Sequence, residues 1–274
     1  HCEFVNGLID RVQDRGRMDL LKDFAEPIPV TVIAELLGVP EADRHQLRPW
    51  SAKIVKLYEL GCTDEQATEA NQAVIEFSDH IKDLATERRK RPRDDLISAL
   101  VQVEEQGEKL TTDELVANCI LLLNAGHEAS VNGTTLGMLS LYHNPDQMAL
   151  ARASAREDNH EFFKTAVEEL LRYDTPLPMF ERWVLQNIDY HGVPLKRGVE
   201  VGLLYASGNR DPRRFANPDA LDLTRRDNPH LTFGLGIHYC VGAPLARVEL
   251  QVSFHALLKR LPNLRIAREP EYTG

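Results

Sequence analysis

One cysteine stands in a setting that points to chemistry. The run Phe233-Gly234-Leu235-Gly236-Ile237-His238-Tyr239-Cys240-Val241-Gly242-Ala243-Pro244 is a glycine-punctuated loop. It leads into an apolar series with mostly helical spacing: Leu245, Val248, Leu250, Val252, Leu257, Leu258 and Leu261. Gly234 and Gly236 permit backbone angles closed to other residues, and close approach to a flat partner. Pro244 is tolerated only near a helix start, where its missing N–H has no bond to lose. Cys240 is therefore expected at the positive end of a helix dipole, where thiolate is favoured over thiol. An anionic sulfur under a glycine loop suits a soft metal ligand. The other reading of the same residues is a buried structural cysteine ahead of an ordinary helix.

Two further groups carry chemistry. Glu169 and Arg172 are spaced i, i+3 on one helix face and can pair. Ala125-Gly126-His127-Glu128-Ala129-Ser130 interrupts the middle of a long apolar pattern. A mid-helix Gly costs about 1 kcal/mol relative to Ala. It fits where a flat ligand must approach the backbone. An acid beside a small polar residue in an apolar helix suits a proton relay. A helix kink with a solvated Glu is the alternative. His127 and His230 read as core or surface histidines rather than ligands.

The spacing Phe-Gly-x-Gly-x-His-x-Cys-x-Gly, with the Leu245-Ala246-Arg247 that follows, resembles the heme-ligand loop of the cytochrome P-450 family. Glu169-x-x-Arg172 and Ala125-Gly126-x-Glu128 are similar to two further signatures of that family. The resemblance implies heme b, with Cys240 as axial thiolate of its iron, a ligand that favours O–O cleavage. It implies that His238 and Arg182 bind heme propionates and that Phe233 lies on the sulfur side of the ring. Gly234 and Gly236 belong to that cofactor-binding loop. Ala125 and Gly126 would lie over the heme, with Glu128 in the relay. The family places Thr where this chain has Ala129, so Ser130, a water or a substrate hydroxyl would supply the missing hydroxyl. Arg225 is the implied third member of a buried triad with Glu169 and Arg172. Leu177, Pro178, Met179 and Phe180 would face the substrate.

These groups need a mainly α scaffold with a small β region, the fold the resemblance implies, as a single domain over residues 1–274. Helices are expected over 1–14, over 19–37 with an interruption near Pro27 and Pro29, and over 41–60 with a bend at Pro49. Others are expected from Thr63 or Asp64 to Arg91, from Asp94 to Gln106, from Thr111 to His143 and from Glu161 to Tyr173. Gly16, Gly38, Gly61 and Gly107 end elements, and Asn144-Pro145 ends the longest. Strands are expected at 180–185, 188–191, 199–204 and 264–267, with an irregular segment over 205–232. The chain opens His1-Cys2-Glu3 inside a helix with no initiator Met. It is expected to be an N-terminally truncated form, the C-terminal two thirds or so of a full member.

A net charge of −10 argues against general nucleic-acid binding. No uncharged apolar run reaches the roughly 18 residues a membrane span needs. The scattered Cys2, Cys62, Cys119 and Cys240 show neither a zinc spacing nor a disulfide framework, so a cytoplasmic setting is expected. Basic clusters at Arg88-Arg89-Lys90-Arg91 with Arg93, at Arg210, Arg213 and Arg214, and at Arg225-Arg226 read as solvated helix ends and loops. Alternatively, those near the cysteine dock an acidic electron donor. The implied activity is monooxygenation of a small organic substrate, with electrons from NAD(P)H through a ferredoxin-type or flavin-containing partner. A non-catalytic relative that binds or activates another enzyme is the alternative.

Overall fold

The computed structural model describes residues 2–58, 61–105 and 110–270. Ten α-helices and four short strands are found among them. In order they are α1 (Cys2–Gln13), α2 (Pro27–Leu37), α3 (Leu47–Ile54), α4 (Asp64–Lys90), α5 (Leu96–Glu105), α6 (Thr112–His143), α7 (Pro145–Arg156) and α8 (His160–Tyr173). Then come β1 (Phe180–Trp183), β2 (Ile188–Tyr190), β3 (Val193–Leu195), β4 (Glu200–Leu203), α9 (Tyr205–Gly208) and α10 (Ala243–Arg260). The chain divides into two compact units, Met18–Val131 and Cys2–Arg17 with Asn132–Gly274.

In the first unit, local chemistry sets the boundaries. Asp19 accepts from the amides of Leu21 and Lys22 and starts a π-helical turn, Leu20–Ala25, that runs into α2. Pro27 opens α2, and Gly38, at φ 81°, closes it. A side chain at Gly38 would collide with Asp95, whose carboxylate packs there. Thr63 and Gln66 cap α4 reciprocally, and Thr111 and Glu114 do the same for α6. Trp50 stacks on Phe77 at 5.2 Å and donates to Glu76, joining α3 to α4. Phe24, Leu37, Leu47, Ile81, Ile97 and Leu115 fill the core.

Three expectations need correction here. Residues 41–58 do not form one helix bent at Pro49. Two 3-10 turns, Glu41–Gln46 and Val55–Tyr58, flank α3, and Pro49 sits in its first turn, where no N–H is required. Asp95 rather than Asp94 caps α5, accepting from Ser98 N at 2.8 Å. Arg88 is not a solvated helix end. Its side chain is fully buried, donating to Asp95 at 2.6 Å and to the carbonyl of Gly38 at 2.7 Å. The expected end at Gln106-Gly107 lies outside the described residues.

In the second unit α10 packs on α1, α7 and α8. Val5, Leu8, Ile9 and Val12 give α1 one buried stripe. Arg260 at the end of α10 donates to Asn6 O, Asp10 and Gln13, tying the two helices together. Gly137 lets α6 approach α10 closely, for a Cβ there would meet Phe254 at 2.5 Å. β1 pairs antiparallel with β4, Arg182 opposite Val201, and β2 pairs with β3.

Helix α7 and strand β3 were not expected. The buried face of α7 is Met148, Ala151, Ser154 and Ala155, too small and polar to show as an apolar stripe. Pro194 disguises β3. The expected strand at 264–267 is not formed. The carbonyl of Leu264 instead accepts from Arg152, so that edge is bonded to a side chain rather than to a strand.

Candidate functional site

In the second unit, the segment after β4 is short of regular structure but dense in hydrogen bonds. Glu169 and Arg172, on α8, are both completely buried. Arg172 holds Glu169 bidentately, Nε to Oε2 and Nη2 to Oε1, each at 2.8 Å. Its remaining N–H groups go to the carbonyls of Asn209, Pro218 and Ala220. Arg225 Nε reaches Glu169 Oε2 at 3.0 Å, and Asp222 N and Asn228 Nδ2 also donate to that carboxylate. The structure thus brings Glu169, Arg172 and Arg225 together. The carboxylate accepts five N–H donors, which repays the cost of burying its charge.

A second network lies beside it. Glu168 accepts from Arg247 of α10 through both oxygens, at 2.7 and 2.9 Å. His230 Nε2 lies 3.1 Å from the same carboxylate, while its Nδ1 accepts from Thr232 N. Burial alone would raise the pKa of Glu168, but His230 and Arg247 outweigh it and hold the group at about 2. Arg247 also donates to the Tyr239 hydroxyl at 3.0 Å and lies over the Phe233 ring at 4.4 Å. Asn209 adds a third tie, donating to Thr175 and Thr232 and accepting from Leu231 N.

These ties hold the cysteine loop. Cys240 N donates to Phe233 O at 2.8 Å, closing the loop on itself. Gly234 and Gly236 have φ of 71° and 65°, and a Cβ at Gly234 would press on His238 O at 3.1 Å. Gly242 precedes α10, so Cys240 stands two residues ahead of the helix cap. Its thiol is free and exposed, not buried as the structural reading of a lone cysteine requires. His238 is exposed beside it. Leu235, Ile237 and Val241 are 76%, 98% and 88% exposed around it. A soft sulfur donor ringed by apolar side chains fits a flat, apolar, metal-bearing group such as heme, which would cover the collar. Arg182, on β1, is half-buried and donates to the carbonyl of Glu181 at 2.7 Å. Pro178, Met179 and Phe180 next to it are exposed.

In the first unit, Ala125 and Glu128 share the exposed face of α6 with Leu121, while Gly126, Ala129 and Ser130 are half-buried. The space beside Gly126 is occupied by Ile33, whose Cδ1 would be 2.8 Å from an added Cβ. His127 points the other way, buried, with Nδ1 3.4 Å from Ser51 Oγ. Burial, then the charge of Arg48, pushes its pKa down to about 4.

Sequence reasoning gave no role to Glu168, Arg247, Tyr239 or Asn209. One signal was present. Arg247 has Ala243, Pro244, Leu250 and Gln251 at i±3 and i±4, so any acidic partner had to come from outside its helix. Three arginines of the segment before the loop pair within the chain: Arg210 with Asp219, Arg213 with Asp211 and Arg214 with Asp227. Among the described residues no helix is long and apolar enough to cross a membrane.

Comparison with known proteins agrees with this geometry. The family model described as cytochrome P450 matches residues 17–262. The chain is 40% identical over 269 residues to cytochrome P450 CYP107DY1 of Priestia megaterium, covering 98% of this chain and 64% of that protein. It is 40% identical over 265 residues to the biotin biosynthesis cytochrome P450 of Bacillus subtilis strain 168, covering 97% of this chain and 66% of the relative. The chain therefore spans just under two thirds of the length of these relatives. The crystal structure of P450BioI in complex with hexadec-9Z-enoic acid ligated acyl carrier protein superposes with a TM-score of 0.90 at 40% identity, over 97% of this chain and 68% of that one. The fold, the motif residues and this depth of similarity together place the chain in the cytochrome P450 family.

Proposed function

We propose that this chain is part of a heme-thiolate monooxygenase, one cytochrome P450 domain that inserts one atom of dioxygen into a small organic molecule by hydroxylation or epoxidation. The observation that carries the reading is Cys240: an exposed, free sulfur within an apolar collar, on a loop tied by the half-buried Glu168–Arg247 pair beside the buried Glu169–Arg172 network. Heme b, the cofactor of this family, supplies the reductive activation of dioxygen when bound.

The roles of the chain's own residues follow. Cys240 is the thiolate ligand. His238 and Arg182 would donate to the propionates, the guanidinium suiting a carboxylate bidentately. Phe233, Gly234 and Gly236 hold the loop against the ring. Ala125, exposed on α6, leaves room for a flat group, whereas Ile33 fills the space beside Gly126. Glu128 holds and passes a proton, and Ala129 offers no hydroxyl to help it. Ser130, an ordered water or a substrate hydroxyl completes the relay. Exposed Pro178, Met179 and Phe180 support an apolar substrate. P450BioI, crystallised with an acyl carrier protein bearing a fatty acid, supports the same class.

Electrons come from NAD(P)H through a ferredoxin-type or flavin-containing protein, in a cytoplasmic setting that accords with four free cysteines. Turnover of an apolar substrate under isotopically labelled dioxygen, with a surrogate ferredoxin and its reductase, tests the reading. One labelled oxygen atom per product is expected. Product oxygen derived from water, or no product from a heme-loaded protein that accepts electrons, would sink it.

A further inference from the structure

A second cluster lies away from the cysteine loop and is used by nothing described above. Asp158, His160 and His255 bring one ligand atom each to a common spot, all within 4.8 Å of one another. They come from three places: the turn after α7, the first residue of α8, and the second half of α10. Asp158 occupies the left-handed region at φ 55°, which Asp tolerates better than most residues. Its Oδ1 lies 3.2 Å from His255 Nε2, and the His160 and His255 rings are 4.4 Å apart between centroids.

The state of His255 is informative. Its Nε2 is buried and faces the Asp158 carboxylate at 3.2 Å without well-aligned hydrogen-bond geometry. Buried polar atoms are rarely left so. A ring nitrogen close to a carboxylate but not aligned with it leaves its lone-pair direction open. Phe163 packs edge-on against the ring at 5.5 Å and limits its rotation. Lys259 is the competitor, its ammonium 2.5 Å from Asp158 Oδ1. That side chain is 42% exposed, so it can turn into water when another cation takes its place.

We propose that Asp158, His160 and His255 form a binding site for a divalent first-row transition-metal ion such as Zn2+. Two imidazoles and a carboxylate are the donor types such ions accept, with water completing a four-coordinate shell. The bound ion would tie the α7–α8 turn to α10, the helix that follows the cysteine loop. The inference does not depend on the heme reading, since none of its ligands belongs to the cysteine loop.

The test is a titration of tag-free, chelator-treated protein with Co2+, followed by absorption and then by displacement with Zn2+. One Co2+ should bind with the bands of nitrogen and oxygen ligation and without a thiolate charge-transfer band, which separates this site from Cys240. His160→Ala and Asp158→Asn alter exposed side chains, so both variants should fold. Each should weaken binding by at least about tenfold, since loss of mere outer-sphere partners already costs roughly 10–100-fold. Absence of nitrogen–oxygen-ligated Co2+ in the parent chain, or undiminished binding in both variants, would overturn the proposal.

Discussion

Arg247 reaches from the first turns of α10 to Glu168 on α8, Nε to Oε1 at 2.7 Å and Nη2 to Oε2 at 2.9 Å. Its third nitrogen binds the Tyr239 hydroxyl, one residue before the cysteine. Loop, helix behind it and α8 therefore share one guanidinium. Two adjacent acids on α8 do separate jobs, Glu169 holding the irregular segment and Glu168 holding the loop and its helix.

Acid should loosen this second clamp. The folded pKa of Glu168 is about 2, below its ordinary value of 4.5. Its contribution is therefore full above about pH 4.5 and is lost as pH falls through about 2. Glu168→Gln should be less stable than the parent at neutral pH and should lose less stability across that acid range. Urea unfolding at stepped pH measures this, and identical acid limbs for the two proteins would contradict it.

Glu169→Ala leaves Arg172, with no side-chain exposure, without its counter-charge. Breaking one member of such a buried network costs roughly 3–5 kcal/mol. That is a large share of a total stability of about 5–15 kcal/mol. The variant should be poorly folded and should not retain heme. Recovery of a folded variant with full heme content would count against the role.

Gly137→Ala places a methyl 2.5 Å from Phe254 Cζ, inside a packed interface. Overpacking of this kind costs about 1–3 kcal/mol. Phe254→Leu should itself destabilise the chain, yet the double variant should be more stable than the sum of the two losses predicts. Additive losses in a double-mutant cycle would show that the two positions do not meet.

Ala129 predicts a dependence on the substrate. With no hydroxyl at that position, a hydroxyl-bearing substrate should be oxidised with little hydrogen peroxide released, and an analogue lacking hydroxyls with more. Peroxide yield per reductant consumed is the readout. Equal yields for the two compounds would remove the substrate hydroxyl from the relay.

The chain's motifs were legible because each combined a rare residue with a fixed spacing. Cys240 between Gly236 and Gly242, and Glu169 three residues before Arg172, both appear as short sequence patterns. Helix caps such as Thr63 with Gln66 and Thr111 with Glu114 were readable for the same reason. The rest depended on tertiary contacts. Helix α7 hid because its buried face is alanine and serine apart from Met148, and the turns around α3 because Pro49 reads as a bend although it begins a helix. Arg88 looked like one of a run of surface cations and is the most buried of them, drawn inward by Asp95 and the Gly38 carbonyl. The Glu168–Arg247 pair spans 79 residues, a distance at which no local pattern reports.

The proposed sulfur–iron bond at residue 240 is tested most directly by loading the chain with hemin, reducing it and adding carbon monoxide, beside Cys240→Ser treated identically. A band at the position of thiolate-ligated heme in the parent, absent from Cys240→Ser, is the expected result. A colourless parent, or a band of histidine-ligated type that survives the substitution, would contradict the account.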